Sequence, residues 1–204
     1  MRRLRNRVQE MRTRLIYAKR GGACFVPHIA LAQMFTRSAA RAGIKLEMTQ
    51  GFSPRAKISF GPELPAGVVA LNEPADIFTE GFYPDIVIMM NSSLPEGFTV
   101  SRAVFPSDGS PSLGKSCKAA EYLLRTTSGY DITEQAVKFW RDSILLCEHP
   151  EGWLRLIISD PAQNPVGGFV RHLIEGSFIA GWHEINAVRV SVGMYDSEAG
   201  EVSL

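Results

Sequence analysis

Cysteine is scarce in this sequence. The 204 residues include three cysteines, which lie far apart and form no CxxC pair: Cys24, Cys117 and Cys147. An odd and scattered set argues against a disulfide framework, a structural zinc site and an iron–sulfur cluster on this chain. Because free thiols are typical of a reducing compartment, we expect a cytoplasmic protein.

Long apolar segments are also lacking. No run of apolar residues approaches the ~20 that a membrane-spanning helix needs. The N-terminus is basic, but the apolar stretch of a signal peptide does not follow it. Hydrophobic residues make up 45% of the chain, and the mean hydropathy is −0.02. We therefore expect a soluble protein with an adequate hydrophobic core and no membrane partner.

Acidic residues are rare in the first part of the chain. Residues 1–57 hold thirteen Lys and Arg residues but only two acids, Glu10 and Glu47, for a net charge of +11. The remaining residues hold nine basic and nineteen acidic side chains, for a net charge of −10. This asymmetry predicts a polyanionic partner for the basic part. The alternative is a basic surface that is simply solvated.

Residues 49–67, TQGFSPRAKISFGPELPAG, concentrate hydrogen-bond donors between glycines and prolines. The glycines allow tight turns and the prolines stiffen the backbone. A rigid loop with this many donors suits an anionic ligand or a nucleic-acid backbone. Phe52 lies between Gly51 and Ser53, where an aromatic ring is a candidate for stacking on a nucleobase.

The hydrophobic pattern predicts the order strand, helix, strand, strand, helix, strand, and then predicts it a second time. We expect an α+β fold of two tandem ferredoxin-like (βαββαβ) units with antiparallel sheets, or one sheet that merges them. Tryptophans 140, 153 and 182 are expected in the second core. The predicted boundaries are a basic extension at 1–12, units at 13–105 and 119–195, a linker at 106–118 and a polar tail at 196–204.

A series of short motifs stands in order along residues 14–104: YAK at 17–19, Phe25 and His28, Arg37, RAG at 41–43, QGF at 50–52, Pro54, KISF at 57–60, LP at 64–65, GV at 67–68 and LPEG at 94–97. Together they resemble the radical-SAM-linked domain family, a bacterial group of largely uncharacterised function. The resemblance covers roughly half of the chain.

The resemblance implies a partner. Members of that family are fused to, or encoded beside, a radical S-adenosylmethionine enzyme with a cobalamin-binding-like region. It therefore implies no cofactor on this chain, and S-adenosylmethionine, an iron–sulfur cluster and cobalamin on the partner enzyme. The family usually has Ser-His-Leu-Asp and Asn-Pro-His-Pro where this sequence has PHIA at 27–30 and SPRA at 53–56. The loss of a carboxylate and a histidine favours binding over catalysis.

These observations predict a non-catalytic accessory protein that binds or presents RNA through its basic half. No catalytic or metal-binding residue is predicted. The candidate RNA contacts are Lys19, Arg20, His28, Arg37, Arg41, Gln50, Phe52, Ser53, Arg55, Lys57 and Ser59. One alternative is an RNA-processing or RNA-modifying enzyme, with His28 as general acid or base and Lys57 or Arg55 stabilising charge. Another is an adaptor whose acidic second half docks the partner enzyme.

Overall fold

The same series of elements occurs twice in the computed structural model, which describes residues 11–204. The first ten residues of the predicted basic extension lie outside the described residues. The first half contains β1 (Met11–Lys19), α1 (His28–Arg41), β2 (Ile58–Phe60), β3 (Val69–Thr79), α2 (Ile86–Asn91) and β4 (Phe98–Val104). After a one-turn helix, α3 (Leu113–Ser116), the second contains β5 (Ala119–Thr126), α4 (Thr133–Trp140), β6 (Ile144–Glu148), β7 (Leu154–Ser159), α5 (Val166–Glu175), β8 (Ile185–Asp196) and β9 (Glu201–Ser203).

The nine strands form one sheet that is mostly antiparallel. Its main order is β4-β1-β3-β8-β5-β7-β6, with β2 paired to β3 and β9 paired to β8. The single parallel contact among the described strands joins β3 to β8, where Val69 pairs with Val188 and Ala70 with Arg189. The predicted α+β class is confirmed. The two halves share a continuous sheet, because this parallel pairing joins them.

Helices cover the hydrophobic face of each half. In the first half, α1 and α2 pack against a cluster that includes Leu15, Tyr17 and Phe35. In the second half, α4 and α5 pack against a cluster that includes Tyr122 and Phe169. Three residues that precede or begin β3 belong to this second cluster: Leu64, Val68 and Ala70. The first half therefore contributes directly to the core of the second.

The segment predicted as a linker, residues 106–118, is packed against the sheet. Arg12 donates from Nη1 to the carbonyl oxygen of Ser110 (2.9 Å) and from Nη2 to that of Pro111 (2.7 Å). The same arginine pairs with Asp76, which also accepts from Nε of Arg14 at 2.7 Å. Leu113, in the middle of the segment, is buried. These contacts hold the segment in place on the face opposite the helices of the first half.

Several boundaries differ from the sequence prediction. The sequence pattern predicts a strand at 75–79, but β3 begins earlier, at Val69, because its first residues pair with β8 in the other half. The pattern also predicts a helix at 83–93, where the structure has the shorter α2, Ile86–Asn91. The tail predicted to be polar contains β9, whose Val202 is buried. Among the tryptophans, Trp140 lies in the core, but Trp182 is 37% exposed.

A buried ion pair lies where the halves meet. Glu73 of β3 is 3% exposed and Arg189 of β8 is 1% exposed. Nε of Arg189 lies 2.6 Å from Oε1 of Glu73, and Nη2 reaches the second carboxylate oxygen. The guanidinium also donates to the carbonyl oxygens of Pro62 (2.9 Å) and Glu63 (3.3 Å). The pair therefore connects β3, β8 and the loop at residues 61–67, which we call the junction loop.

Each charge of this ion pair is stabilised by the other. Burial alone would lower the pKa of Arg189, but the neighbouring Glu73, together with Tyr122, raises it overall. Burial also raises the pKa of Tyr17 and of Tyr122, so both phenols stay neutral beside the pair. The guanidinium is thus charged, and Glu73 is the acid that compensates it.

We predict that Arg189→Met lowers the free energy of unfolding by about 3–5 kcal/mol, because Glu73 is left buried without its partner. Urea unfolding followed by tryptophan fluorescence measures this change. The double variant Glu73→Leu with Arg189→Met should recover much of the loss, since no uncompensated charge remains.

The control is Lys138→Met, which removes an exposed i,i+4 pair with Glu134. That variant should change the stability by less than about 0.5 kcal/mol. An Arg189→Met variant as stable as the control would show that the buried pair does not hold the junction.

Candidate nucleic-acid interface

The loop that the sequence singled out begins with a tight hairpin. Met48 and Ala56 form an isolated β-bridge. The amide of Thr49 donates to the carbonyl oxygen of Arg55 at 2.8 Å, and the amide of Arg55 donates to Oγ1 of Thr49 at 3.0 Å. At its base, the Lys57 amide donates to the Glu47 carbonyl oxygen at 2.7 Å. We call residues 48–56 the basic hairpin; its closed backbone contacts preorganise the tip.

Polar and aromatic side chains project from the tip of the basic hairpin. Phe52 is fully exposed, and Gln50, Ser53 and Arg55 are exposed beside it. Gly51 has φ +129°, in the region that favours glycine, so the turn before Phe52 needs this residue. Leaving a phenylalanine in water forgoes about 1.5–3 kcal/mol of burial. The tip is therefore suited to contact a ligand or partner.

Two further predicted contacts lie at the base of the hairpin. Nζ of Lys57 is 4.3 Å from the centroid of the Phe78 ring, which is a cation–π distance. Lys57 is half-buried, whereas Ser59, in β2, is exposed. The structure thus brings together Gln50, Phe52, Ser53, Arg55, Lys57 and Ser59 along one continuous stretch from tip to strand.

The remaining predicted contacts are not all available at the surface. Lys19 is 2% exposed, and its Nζ lies 3.3 Å from the carbonyl oxygen of Val26. Burial lowers the pKa of Lys19. Nη2 of Arg41 donates to the carbonyl oxygen of Ser93 at 2.5 Å, which ties α1 to the chain after α2. Lys19 is thus an internal residue, and Arg41 has a structural partner.

Two other cations, Arg20 and Arg37, are exposed. Arg20 begins the glycine turn after β1, and its amide donates to the carbonyl oxygen of Gly97 at 2.9 Å. Arg37 lies on α1, where its neighbour Ser38 is fully buried and marks the inner face of the helix. Both guanidinium groups are placed to meet solvent or an anion.

The charge count overstates the basic surface. Among the described residues, Arg12 and Arg14 pair with buried Asp76, and Lys19 is itself buried. Three of the cations in the basic segment therefore stabilise the interior. At the basic hairpin, Arg55 contributes exposed positive charge.

His28 begins α1 and is half-buried. Its ring packs edge-on against Phe60, with the centroids 5.8 Å apart. Burial lowers the pKa of His28, and the charges that act on it are those of Glu63, Arg189, Glu73 and Lys19. The sequence had suggested Lys57 or Arg55 as its catalytic partners. In the structure, three of the charged groups that influence His28, namely Glu63, Arg189 and Glu73, belong to the junction between the halves.

A cleft that the sequence did not indicate opens beside the junction loop. It has a volume of about 660 Å³ and is lined by Glu63, Pro65, Ala162, Pro165, Gly167, Gly168, Arg171, Ile174 and Trp182. We call it the junction cleft. Its two walls are about 100 residues apart in sequence, so no local motif could have revealed it.

Within residues 11–204, no group of three or more His, Cys, Asp or Glu side chains is arranged to hold a metal ion. In the same part of the chain, none of the helices is both long enough and apolar enough to cross a membrane.

Comparison with known proteins identifies a family. Residues 12–151 match the model of a family described as "Uncharacterized protein conserved in bacteria (DUF2344)". The chain belongs to this family. The family match includes the basic hairpin, His28 and Glu73, and it ends before α5 and before Arg189 of β8.

Other comparisons add little. No curated protein matches the sequence. Among solved structures, the acetolactate synthase small subunit from Thermotoga maritima aligns over 92% of this chain and 99% of that chain, with 13% identity and a TM-score of 0.27. At that TM-score the likeness supports no inference about this protein.

The burial of His28 predicts the direction of its pKa shift. Because burial lowers its pKa, the folded protein should protonate His28 below the ~6.5 of an exposed histidine. The unfolded chain then binds more protons, so the free energy of unfolding should fall as the pH drops below about 6.5, and level off below the folded-state pKa. NMR titration of the imidazole, assigned with His28→Gln, measures the first effect. A midpoint at or above ~6.5 would contradict the buried placement.

Proposed function

We propose that this protein is a non-catalytic accessory protein that binds single-stranded RNA through the basic hairpin and works with a radical S-adenosylmethionine enzyme. The RNA part of the proposal rests chiefly on one observation. Phe52 is fully exposed at the tip of a hairpin that also exposes Gln50, Ser53 and Arg55. An aromatic ring beside a guanidinium and amide donors is the combination that stacks on a base and holds its phosphate.

The arrangement favours a single strand over a duplex. A projecting ring needs an unstacked base, which single-stranded loops and ends provide. Arg55 is close enough in sequence to Phe52 to reach a neighbouring phosphate, and a guanidinium binds phosphate through two parallel hydrogen bonds. The hairpin is already closed by backbone hydrogen bonds, so little ordering is needed on binding.

The partner enzyme is proposed from the resemblance of residues 14–104 to the radical-SAM-linked domain family. In this proposal the cluster, S-adenosylmethionine and cobalamin belong to the partner, and this chain presents the RNA. Ala30 and Arg55 replace a carboxylate and a histidine of the family pattern, which is consistent with a binding role. Co-expression with a radical S-adenosylmethionine enzyme from the same genome tests the pairing: we expect the two proteins to co-purify, and a failure to co-purify would contradict the pairing.

We also propose that each half is a ferredoxin-like unit. The order β4-β1-β3-β2 in the first half is matched by β8-β5-β7-β6 in the second, and neighbouring strands within each half are antiparallel. This is the split βαβ order of that fold. An experimental structure with a different strand order in either half would overturn the assignment.

An RNA-modifying or RNA-processing enzyme is the second candidate. The observation in its favour is that burial lowers the pKa of His28, which leaves a neutral imidazole able to accept a proton at neutral pH. The perturbed group lies among charged residues, as catalytic groups often do. Incubation of labelled RNA with the protein decides between the candidates, since cleavage or modification that His28→Ala abolishes would support the enzyme.

We predict that Phe52→Ala weakens binding of a short single-stranded RNA by roughly five- to a hundredfold, because a base–aromatic stack contributes ~1–3 kcal/mol. Arg55→Ala should weaken binding and reduce its dependence on salt, because one phosphate contact is lost. Fluorescence anisotropy at several salt concentrations measures both effects.

The matched controls are Phe82→Ala and Arg102→Ala, which remove an exposed aromatic and an exposed arginine elsewhere in the first half. They should leave the affinity nearly unchanged. An affinity that does not depend on salt, or equal losses in the hairpin and control variants, would rule out the hairpin as the RNA site.

A further inference from the structure

The junction cleft is not used by the proposed hairpin contacts. At about 660 Å³, its volume is within the ~300–1,000 Å³ of small-molecule sites. It lies between the junction loop of the first half and α5 of the second. Pockets between packed units are frequent ligand sites, so the chemistry of its lining is informative.

Two opposite charges line the cleft without being paired. Within residues 11–204, neither the carboxylate of Glu63 nor the guanidinium of Arg171 has a hydrogen-bond or salt-bridge partner. Both side chains are exposed to the cleft or to solvent. Two unpaired charges of opposite sign in one cleft suit a ligand with an anionic group at one end and hydrogen-bond donors at the other.

The lining of the cleft also includes an aromatic side chain. Trp182 lines the cleft with 37% of its surface exposed. Its ring lies against Gly67, where an added Cβ would be 3.9 Å from both Trp182 and Phe25. The indole therefore packs beside the junction loop, and part of the residue stays accessible for stacking. Tryptophan is among the best side chains for stacking on a nucleobase.

The walls of the cleft are held in place. Arg189, itself paired with Glu73, donates hydrogen bonds to the carbonyl oxygens of Pro62 and Glu63, so the buried pair positions the backbone that carries the Glu63 carboxylate. On the other wall, a Cβ added to Gly167 would lie 2.8 Å from Cγ of Pro65. Only glycine allows α5 and the junction loop to approach this closely. The site is thus preorganised.

We infer that the junction cleft binds a guanine nucleotide. The base stacks on Trp182, Arg171 binds the phosphate, and Glu63 accepts hydrogen bonds from the base. Guanine presents two adjacent donors, N1–H and the N2 amino group, which match the two oxygens of a carboxylate. Adenine and cytosine place an acceptor beside their amino group, and uracil places its single donor between two acceptors. Each of these would set a ring or carbonyl lone pair against the carboxylate.

The same chemistry is available from a free mononucleotide and from a guanine within RNA. The RNA version rests on the proposed function, whereas the free-nucleotide version does not. The two are separated by comparing guanosine 5′-monophosphate with a short single-stranded RNA that contains one guanine. Phe52→Ala should impair RNA binding through the hairpin and leave binding of the mononucleotide unchanged.

The test measures binding of the 204-residue chain to GMP and AMP by isothermal titration calorimetry. The same chain is titrated with RNAs that differ only in guanine or adenine at one position. We expect GMP, or the guanine-containing RNA, to bind roughly five- to a hundredfold more tightly than its adenine counterpart. Glu63→Gln should abolish that preference, and Arg171→Met and Trp182→Ala should weaken binding of both bases.

Control variants are Glu151→Gln and Arg102→Met, which change exposed side chains away from the cleft. A Glu63-dependent preference seen with GMP supports a mononucleotide site, and one seen only with RNA supports an RNA site. If neither probe shows a guanine preference that depends on Glu63, the inference is overturned. GMP binding that depends on Glu63, in a protein whose RNA affinity is unchanged by Phe52→Ala, would contradict the proposed function alone.

Discussion

The ion pair between Glu73 and Arg189 is the constraint on which the arrangement of this protein depends. Two charges with almost no exposure are tolerable only when each compensates the other, because a single buried charge costs several kcal/mol. The pair lies beside the only parallel strand contact among the described strands, between β3 and β8. It requires the two halves to stay together, and it fixes the junction loop through two backbone carbonyls.

Local sequence patterns were sufficient to predict the repeated element order and the α+β class, because helix and strand periodicities are local. The rigid loop at residues 49–67 was also predictable, since Gly51 and its neighbours act within a few residues. The junction was not predictable in the same way. Glu73 and Arg189 are separated by 116 residues, and nothing in the sequence near either one marks it as buried. Lys19, Arg12 and Arg14 were counted as surface charge because a charge count contains no information on burial.

The two proposed binding surfaces lie in different parts of the structure. The basic hairpin projects from one unit and depends on local backbone hydrogen bonds, so its tip is preorganised without help from the second half. The junction cleft exists only because the two halves share a sheet, and its Glu63 is carried by the loop that Arg189 holds. An accessory protein that holds RNA at one point and recognises a single base at another would need two separate surfaces. Both the tip of the hairpin and the cleft would have to be rigid.

We expect the buried pair to make the two halves one cooperative unit. Tryptophans 140, 153 and 182 all lie in the second half, so their fluorescence reports its unfolding. Hydrogen exchange of the β1 amides, measured by mass spectrometry under the same conditions, reports the first half. In one cooperative unit, the slowest β1 amides should exchange with the same free energy as global unfolding measured by fluorescence. Exchange of the β1 amides at a free energy much lower than that of global unfolding, while the second half stays folded, would show that the two halves unfold separately.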